Sequence, residues 1–271
     1  GGFSREAAAQ VASAPLLVLS GLVAKSLLQR VEAARFGLHE LVRQYAGEKL
    51  AELHAVEQAE RRHLDCFLKL AERAERELSG VDQLQWLDRL ALEHDNLRAA
   101  LSCALTQSDP SAALRLSSAL RQFWEVRGYA SEGRRWLDQA LTRADQAPVA
   151  LRVKALQAAG HLATEEHDVQ AAQRYFEAAL HLCRQLADPA ALATALYNSG
   201  RVAWLQSDYP QACAQYEEAL ALRREQGDQA GVARTLNGLG LLVMSQGNFD
   251  SATAFLTESV ALDKQLGNQK E

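Results

Sequence analysis

The chain has only 5 prolines and 4 cysteines in 271 residues, and it lacks a long apolar run. Each scarcity excludes something. With proline so rare, long stretches can be helical without interruption. A membrane span needs roughly 18 to 20 consecutive apolar residues, and none is present, so a soluble protein is expected. Cys66, Cys103, Cys183 and Cys213 stand far apart, with no CxxC and no Cys/His ligand spacing. That pattern implies neither a disulfide framework nor a zinc site, and it fits reduced thiols in a cytoplasmic protein. No charged leader, short apolar segment and small-residue cleavage site occur in series, so no export signal is read. Gly1 and Gly2 lead straight into a helical pattern, as in a piece cut from a longer protein or after a cloning scar.

Positive charge is also lacking. The net charge is −5, and residues 1 to 64 hold eight Lys/Arg against seven Asp/Glu. A nucleic-acid footprint needs a concentrated basic face, so such a partner is not expected. Catalytic motifs are missing as well. SGLVAKS at 20 to 26 imitates a phosphate loop, but Leu19 and Ala24 occupy both glycine places, and the segment is helical in pattern. There is no GxSxG, HExxH or Cys/His nucleophile arrangement, and Glu165 and Glu166 read as solvated charge on a helix end. The expectation is a non-enzyme with no catalytic residue, no metal site and no cofactor of its own.

What is present is a repeat. Gly160, Gly200 and Gly240 are spaced by forty residues, as are Leu156, Leu196 and Leu236, and Ala172, Ala212 and Ala252. Phe176, Tyr216 and Leu256 follow the same period, and so do the turns HDV at 167 to 169, SDY at 207 to 209 and GNF at 247 to 249. Each unit reads as helix, short turn, helix. A glycine inside a helix costs about 1 kcal/mol relative to alanine, so close packing must offset it. The large residue at 176, 216 and 256 is expected to fill the gap between neighbouring hairpins.

This pattern resembles the tetratricopeptide repeat family. The signature places fall on Leu196, Gly200, Ala203, Tyr209, Ala212, Tyr216 and Ala219, with equivalents in the flanking units. The family's usual period is about 34 residues; six more lengthen the second helix and its exit here. A weaker unit, GYASEGRRWLDQAL at 128 to 141, precedes these three. The resemblance implies a right-handed superhelix that binds a protein, peptide or small molecule on the concave face of its first helices. Transferred positions are Lys154, Gln157 and His161, then Tyr197, Arg201 and Trp204, then Arg234, Asn237 and Leu241. Arg201 and Arg234 offer paired donors to a carboxylate or phosphate. Trp204 fits either a ligand contact or simple packing on a neighbouring hairpin. Glu271 falls where a further repeat would begin, so truncation of the array there is expected.

The front of the chain differs. SREAAAQVA at 4 to 12 reads as a short helix capped by Ser4, and LLVLSGLVAKSLL at 16 to 28 begins as a second. LLQRV and RFGL, separated by the bend EAA, read as a hairpin, and HELVRQYAGEKLAEL at 39 to 53 resumes helical spacing. The set GGFS, LxxLVxKSLL and RFxLxExxRxYAxExL is similar to the winged-helix module of bacterial signal-transduction ATPases with numerous domains. HDNLRAAL at 94 to 101 resembles the helical segment those proteins carry before their repeats. The expected all-α chain therefore divides into a partial winged helix with one small β-hairpin (1–55), a helical linker or degenerate repeat region (56–111) and tetratricopeptide repeats (112–271).

In that family a Met-His-Asp motif sets a histidine against the β-phosphate of ADP. Leu38, His39 and Glu40 align with it, with Leu for Met and Glu for Asp. Two roles are open to His39: a phosphate contact in a parent that supplies the ATPase core and its ATP or ADP, or an ordinary polar residue at a helix start. The resemblance implies a sensor and regulatory region that relays activator binding to a nucleotide switch outside this chain, with that core as an intramolecular partner. The alternatives are a DNA-binding transcription regulator and a self-assembling repeat scaffold.

Overall fold

The computed structural model describes residues 2–32 and 35–267. Gly1, the hairpin bend at Ala33 and Ala34, and residues 268–271, where the next repeat is expected, lie outside the described residues. The chain is built as two compact units, Gly1–Ala147 and Pro148–Glu271.

The first unit opens with strand β1 (Phe3–Ser4), helices α1 (Arg5–Ala12) and α2 (Leu16–Ala24), strands β2 (Gln29–Glu32) and β3 (Arg35–Gly37), and helix α3 (Glu40–Glu52). Ser4 caps α1, its Oγ accepting from the Ala7 amide at 3.1 Å. The expected hairpin forms, but it gains a third strand: the antiparallel order is β1-β3-β2, with Phe3 opposite Phe36. The second helix ends at Ala24, earlier than its apolar pattern suggests. Ala8, Leu19, Leu28 and Phe36 form the small core under these elements.

Arg35, the first residue of RFGLHE, ties this sheet to the helices that follow: α4 (Val56–Glu77), α5 (Gln83–Leu92) and α6 (His94–Thr106). Its guanidinium pairs with Glu93 just before α6, and donates to the Gly2 carbonyl at 2.7 Å and the Leu92 carbonyl at 3.1 Å. Asn96 donates to Glu93 Oε2 at 2.6 Å and to the same Gly2 carbonyl at 3.0 Å. Glu93 is buried and Arg35 largely so, 6% and 13% exposed, so the carboxylate needs the donors found here. RFGLHE and LALEHDN, far apart in sequence, thus meet in one network.

The rest of the unit is helical: α4, α5, α6, α7 (Ser111–Ala119), α8 (Arg121–Arg127) and α9 (Ala130–Leu141). Leu64, Phe67, Leu68, Ala71 and Ala74 form the buried stripe of α4, at the i, i+3, i+4, i+7 spacing of an amphipathic helix. His63 and His94 are enclosed between these helices, and burial lowers the imidazole pKa of both. His94 packs on Phe123 and Tyr129, with Glu132 at 3.6 Å. The unfolded chain takes up these protons near its ordinary pKa of about 6.5, and the folded chain only at lower pH. Protonation therefore favours unfolding, so this contribution is complete above that value and declines as pH falls below it. The melting midpoint is expected to drop between pH 7.5 and 5.5, and less steeply in His94→Gln; parallel curves for the two proteins would contradict this.

The second unit consists of three hairpins: α10 (Val149–Glu165) with α11 (Val169–Cys183), α12 (Pro189–Leu205) with α13 (Tyr209–Gln226), and α14 (Gln229–Ser245) with α15 (Phe249–Gln265). Their turns explain why HDV, SDY and GNF recur. His167, Ser207 and Gly247 adopt positive φ (60°, 63° and 80°), and Asp168, Asp208 and Asn248 then cap the second helix through the amides of Ala171, Gln211 and Ser251. The helical glycines admit large neighbours: a Cβ on Gly160 would lie 2.7 Å from the Phe176 ring, and one on Gly240 2.7 Å from Leu256. These large residues therefore fill space inside their own hairpin, which adds to the expected placement between hairpins: Phe176 also shares a buried cluster with Val202 of α12. Tyr216 does both, pressing on Gly200 and also on Gly238 of the next hairpin. The fold is the expected all-α, superhelical repeat architecture with a small sheet at its front. Among the described residues no single helix is long and apolar enough to cross a membrane.

Candidate functional site

The nine repeat positions singled out above lie on the first helices α10, α12 and α14, and none is buried. Lys154, Arg234 and Asn237 are exposed; Gln157, His161, Tyr197, Arg201, Trp204 and Leu241 are partly exposed. The forty-residue period aligns them in rows, 157/197/237 and 161/201/241. Adjacent helices bring row members together: Arg201 Nη2 lies 3.3 Å from His161 Nδ1. His161 in turn sets its ring edge-on to Phe176. Arg234 has a different neighbour, acting as a like charge on Arg223. Arg201 and Arg234 thus belong to separate rows with separate surroundings.

Both aromatic residues on this face are also packing residues. Trp204 and Tyr197 pack against the cluster formed by Ala203, Ala212, Tyr216, Leu236 and Leu239. Trp204 donates its Nε1–H to Ser245 Oγ at 3.3 Å. Tyr197 lies 5.4 Å from the Tyr216 ring and 5.2 Å from the Arg223 guanidinium. Burial raises the Tyr216 phenol pKa well above its usual range, so it remains a neutral donor.

Two residues that sequence reasoning missed complete the face. Arg223 is 3% exposed, and it donates to the Gly231 carbonyl at 2.9 Å and to Thr235 Oγ1 at 2.6 Å, joining α13 to α14 under Tyr197. Burial lowers its pKa. Asn198, also 3% exposed, sits beside Tyr197 with no acceptor for its Nδ2, and Arg201 Nε likewise has none. An unmatched buried donor costs about 1–3 kcal/mol, so it is kept against folding stability. The rows hold a signal for one of the two: 158/198/238 reads Ala, Asn, Gly, and 183/223/263 reads Cys, Arg, Asp. A polar residue breaking a small row marks Asn198, whereas Arg223 stands in a row of mixed character and carries no such mark.

In the first unit, His39 is the N-cap of α3, exposed, with φ −60° and ψ 145° and no side-chain cap bond. Its imidazole touches the Gln29 amide. It stands at a helix start, where amides and the dipole favour an anion.

Residues 191–265 match the tetratricopeptide repeat family. Proteins of Mycobacterium bovis and Mycobacterium tuberculosis named as HTH-type transcriptional regulators are 33% identical over 221 residues, covering 72% of this chain and 24% of theirs. The chain thus spans about a quarter of the length of these curated relatives. Among solved structures, the signal transduction ATPase with numerous domains and a tetratricopeptide repeat sensor from Pyrococcus horikoshii aligns over 99% of this chain and 49% of its own, at 14% identity and TM-score 0.54. A Rap protein complexed with competence and sporulation factor aligns over 80% of this chain and 59% of its own, at 17% identity and TM-score 0.59. BtubC from P. vanneervenii aligns over 79% and 94%, at 18% and 0.56. These structural likenesses show the shared fold.

Proposed function

We propose that this chain is the sensing and regulatory part of a larger signal-transduction ATPase, with the first-helix face of the second unit as its partner-binding surface. The observation that carries this reading is that Tyr197, Arg201 and Trp204, all partly exposed, share one face of α12, with the exposed amide of Asn237 in the row of Tyr197. Amide and guanidinium donors suit the carbonyls and carboxylates of a peptide or protein partner, and Tyr197 and Trp204 add area for apolar contact. The Pyrococcus protein's repeat sensor and the Rap protein's complex with competence and sporulation factor support the same role. Binding relays only by favouring one state of the parent over another, so the role is recognition and relay rather than catalysis. The front elements β1 to α3 then act as a winged helix against an ATPase core, with His39 directed to the phosphate of its ADP. Exposed Leu17, Val18, Leu41 and Tyr45 suit a protein neighbour there.

The relatives' names favour a second reading, direct DNA binding by the front module. A recognition helix must present side chains to phosphates and base edges. The second helix of the pair, α2, has the sequence LLVLSGLVA and no basic residue, so the sensor reading is preferred. A displayed-peptide library selected on the chain tests it. Recovered peptides should lose at least about tenfold in affinity, about 1.4 kcal/mol, on combined Tyr197→Ala, Arg201→Ala and Arg234→Ala replacement. Selected peptides that bind the triple variant equally well would place the site elsewhere.

A further inference from the structure

A second site lies in the first unit, in the groove between α1 and α4. A cavity of about 190 Å³ is lined there by residues including Glu6, Cys66, Lys69, Arg73, Arg89 and Glu93. It shares Glu6, Arg89 and Glu93 with a wider hollow of about 560 Å³ that also reaches Arg5 and Arg35. The charges in these walls do not balance. Glu93 is consumed by Arg35 and Asn96, and Glu6 pairs with Arg89 at 2.8 Å. Arg5, Lys69 and Arg73 remain, and among the described residues none of them meets a carboxylate at ion-pair distance.

The placement of these cations follows from helical geometry. Lys69 and Arg73 are one turn apart on α4, and Arg62 and Arg76 extend the same stripe, so four cations share one face over about 21 Å. Elsewhere on α4, Arg61 pairs with Glu57, and Glu72 is taken by Arg115. Arg73 and Arg89 each lie 5.2 Å from the Trp86 ring, which holds their guanidinia at the groove mouth against a low-dielectric surface. Phe67 and Leu70 form an apolar part of the wall. Three unbalanced positive charges, two of them planar forks, match a compact polyanion better than a lone carboxylate.

We propose that this groove binds a small phosphorylated compound, with Lys69 and Arg73 as its principal phosphate ligands and Arg5 in the adjoining hollow. Glu6 is the built-in competitor: its carboxylate occupies Arg89 and repels an incoming anion. The site is independent of the repeat face and of His39.

Titration calorimetry with inorganic pyrophosphate, at ionic strength held constant with potassium chloride, tests the assignment. Inorganic phosphate and a 20-base-pair duplex are the comparison arms. Pyrophosphate should bind more tightly than phosphate. Lys69→Ala with Arg73→Ala should weaken binding about tenfold or more, and Glu6→Gln should strengthen it, because Arg89 is released. Lys69 and Arg73 are exposed, so the melting midpoint serves as a folding control. No pyrophosphate binding, binding indifferent to the double change, weakening by Glu6→Gln, or duplex binding without pyrophosphate binding would each overturn the proposal.

Discussion

Arg35→Ala is expected to destabilise the first unit by about 3–5 kcal/mol, the usual cost of leaving one partner of a buried ion pair alone. The size follows from the environment. Glu93 is 6% exposed and would keep only Asn96 as a donor, while the carbonyls of Gly2 and Leu92 would lose theirs. Trp86, Trp124 and Trp136 all lie in this unit, so tryptophan fluorescence during urea unfolding reports on it, with Trp204 the one indole in the second unit. The control is the double change Arg35→Met with Glu93→Leu, which removes the charges together. It should be clearly more stable than either Arg35→Ala or Glu93→Ala, because a buried pair replaced by apolar groups loses both its attraction and its desolvation cost. Single variants that unfold at the natural urea concentration would mean that the sheet and the helices are held together by apolar packing alone.

The second large effect lies in the repeats. Phe176→Ala is expected to cost about 3–5 kcal/mol, since the ring is fully buried between two helices. Gly160→Ala should be destabilising in the natural chain. Its methyl group would meet three ring atoms of Phe176 at 2.7–2.9 Å, and overpacking costs about 1–3 kcal/mol against a helix-propensity gain of about 1 kcal/mol. The same Gly160→Ala change should become stabilising by about 1 kcal/mol in the Phe176→Ala background, where the ring is gone and only the propensity gain remains. That reversal of sign, read from Trp204 fluorescence during urea unfolding, separates close packing from general intolerance of change at residue 160. An effect of the same sign in both backgrounds would contradict the packing explanation.

The legible parts of this chain are those whose cause is local or periodic. Gly160, Gly200 and Gly240 announced the repeat because close helix approach demands the same small residue every time. Asp168, Asp208 and Asn248 marked the turns because a cap must stand just ahead of its helix. Ser4 and the start of α3 were readable for the same reason. The two-residue strand β1 was not, since Phe3–Ser4 is too short to show an alternating pattern. Nor was the Arg35–Glu93 pair, which spans 58 residues and depends on where the helices place Glu93. The large residues of the repeat were recognised, but their packing inside their own hairpin was not. Spacing shows that glycine and ring share a period, but only geometry shows that they belong to the same hairpin. At the candidate site, the nine positions taken from the rows stand at least partly exposed on the first helices, while Asn198 and Arg223, hidden beneath them, were not singled out.

The most direct test of the partner-binding face is backbone hydrogen exchange, measured with and without a peptide selected on the chain. Slower exchange should concentrate in the first helices at 149–165, 189–205 and 229–245, centred on Tyr197, Asn198 and Arg201, and vanish in the Tyr197→Ala, Arg201→Ala, Arg234→Ala variant. Protection confined to the second helices at 169–183, 209–226 and 249–265, or to the first unit, would contradict the account.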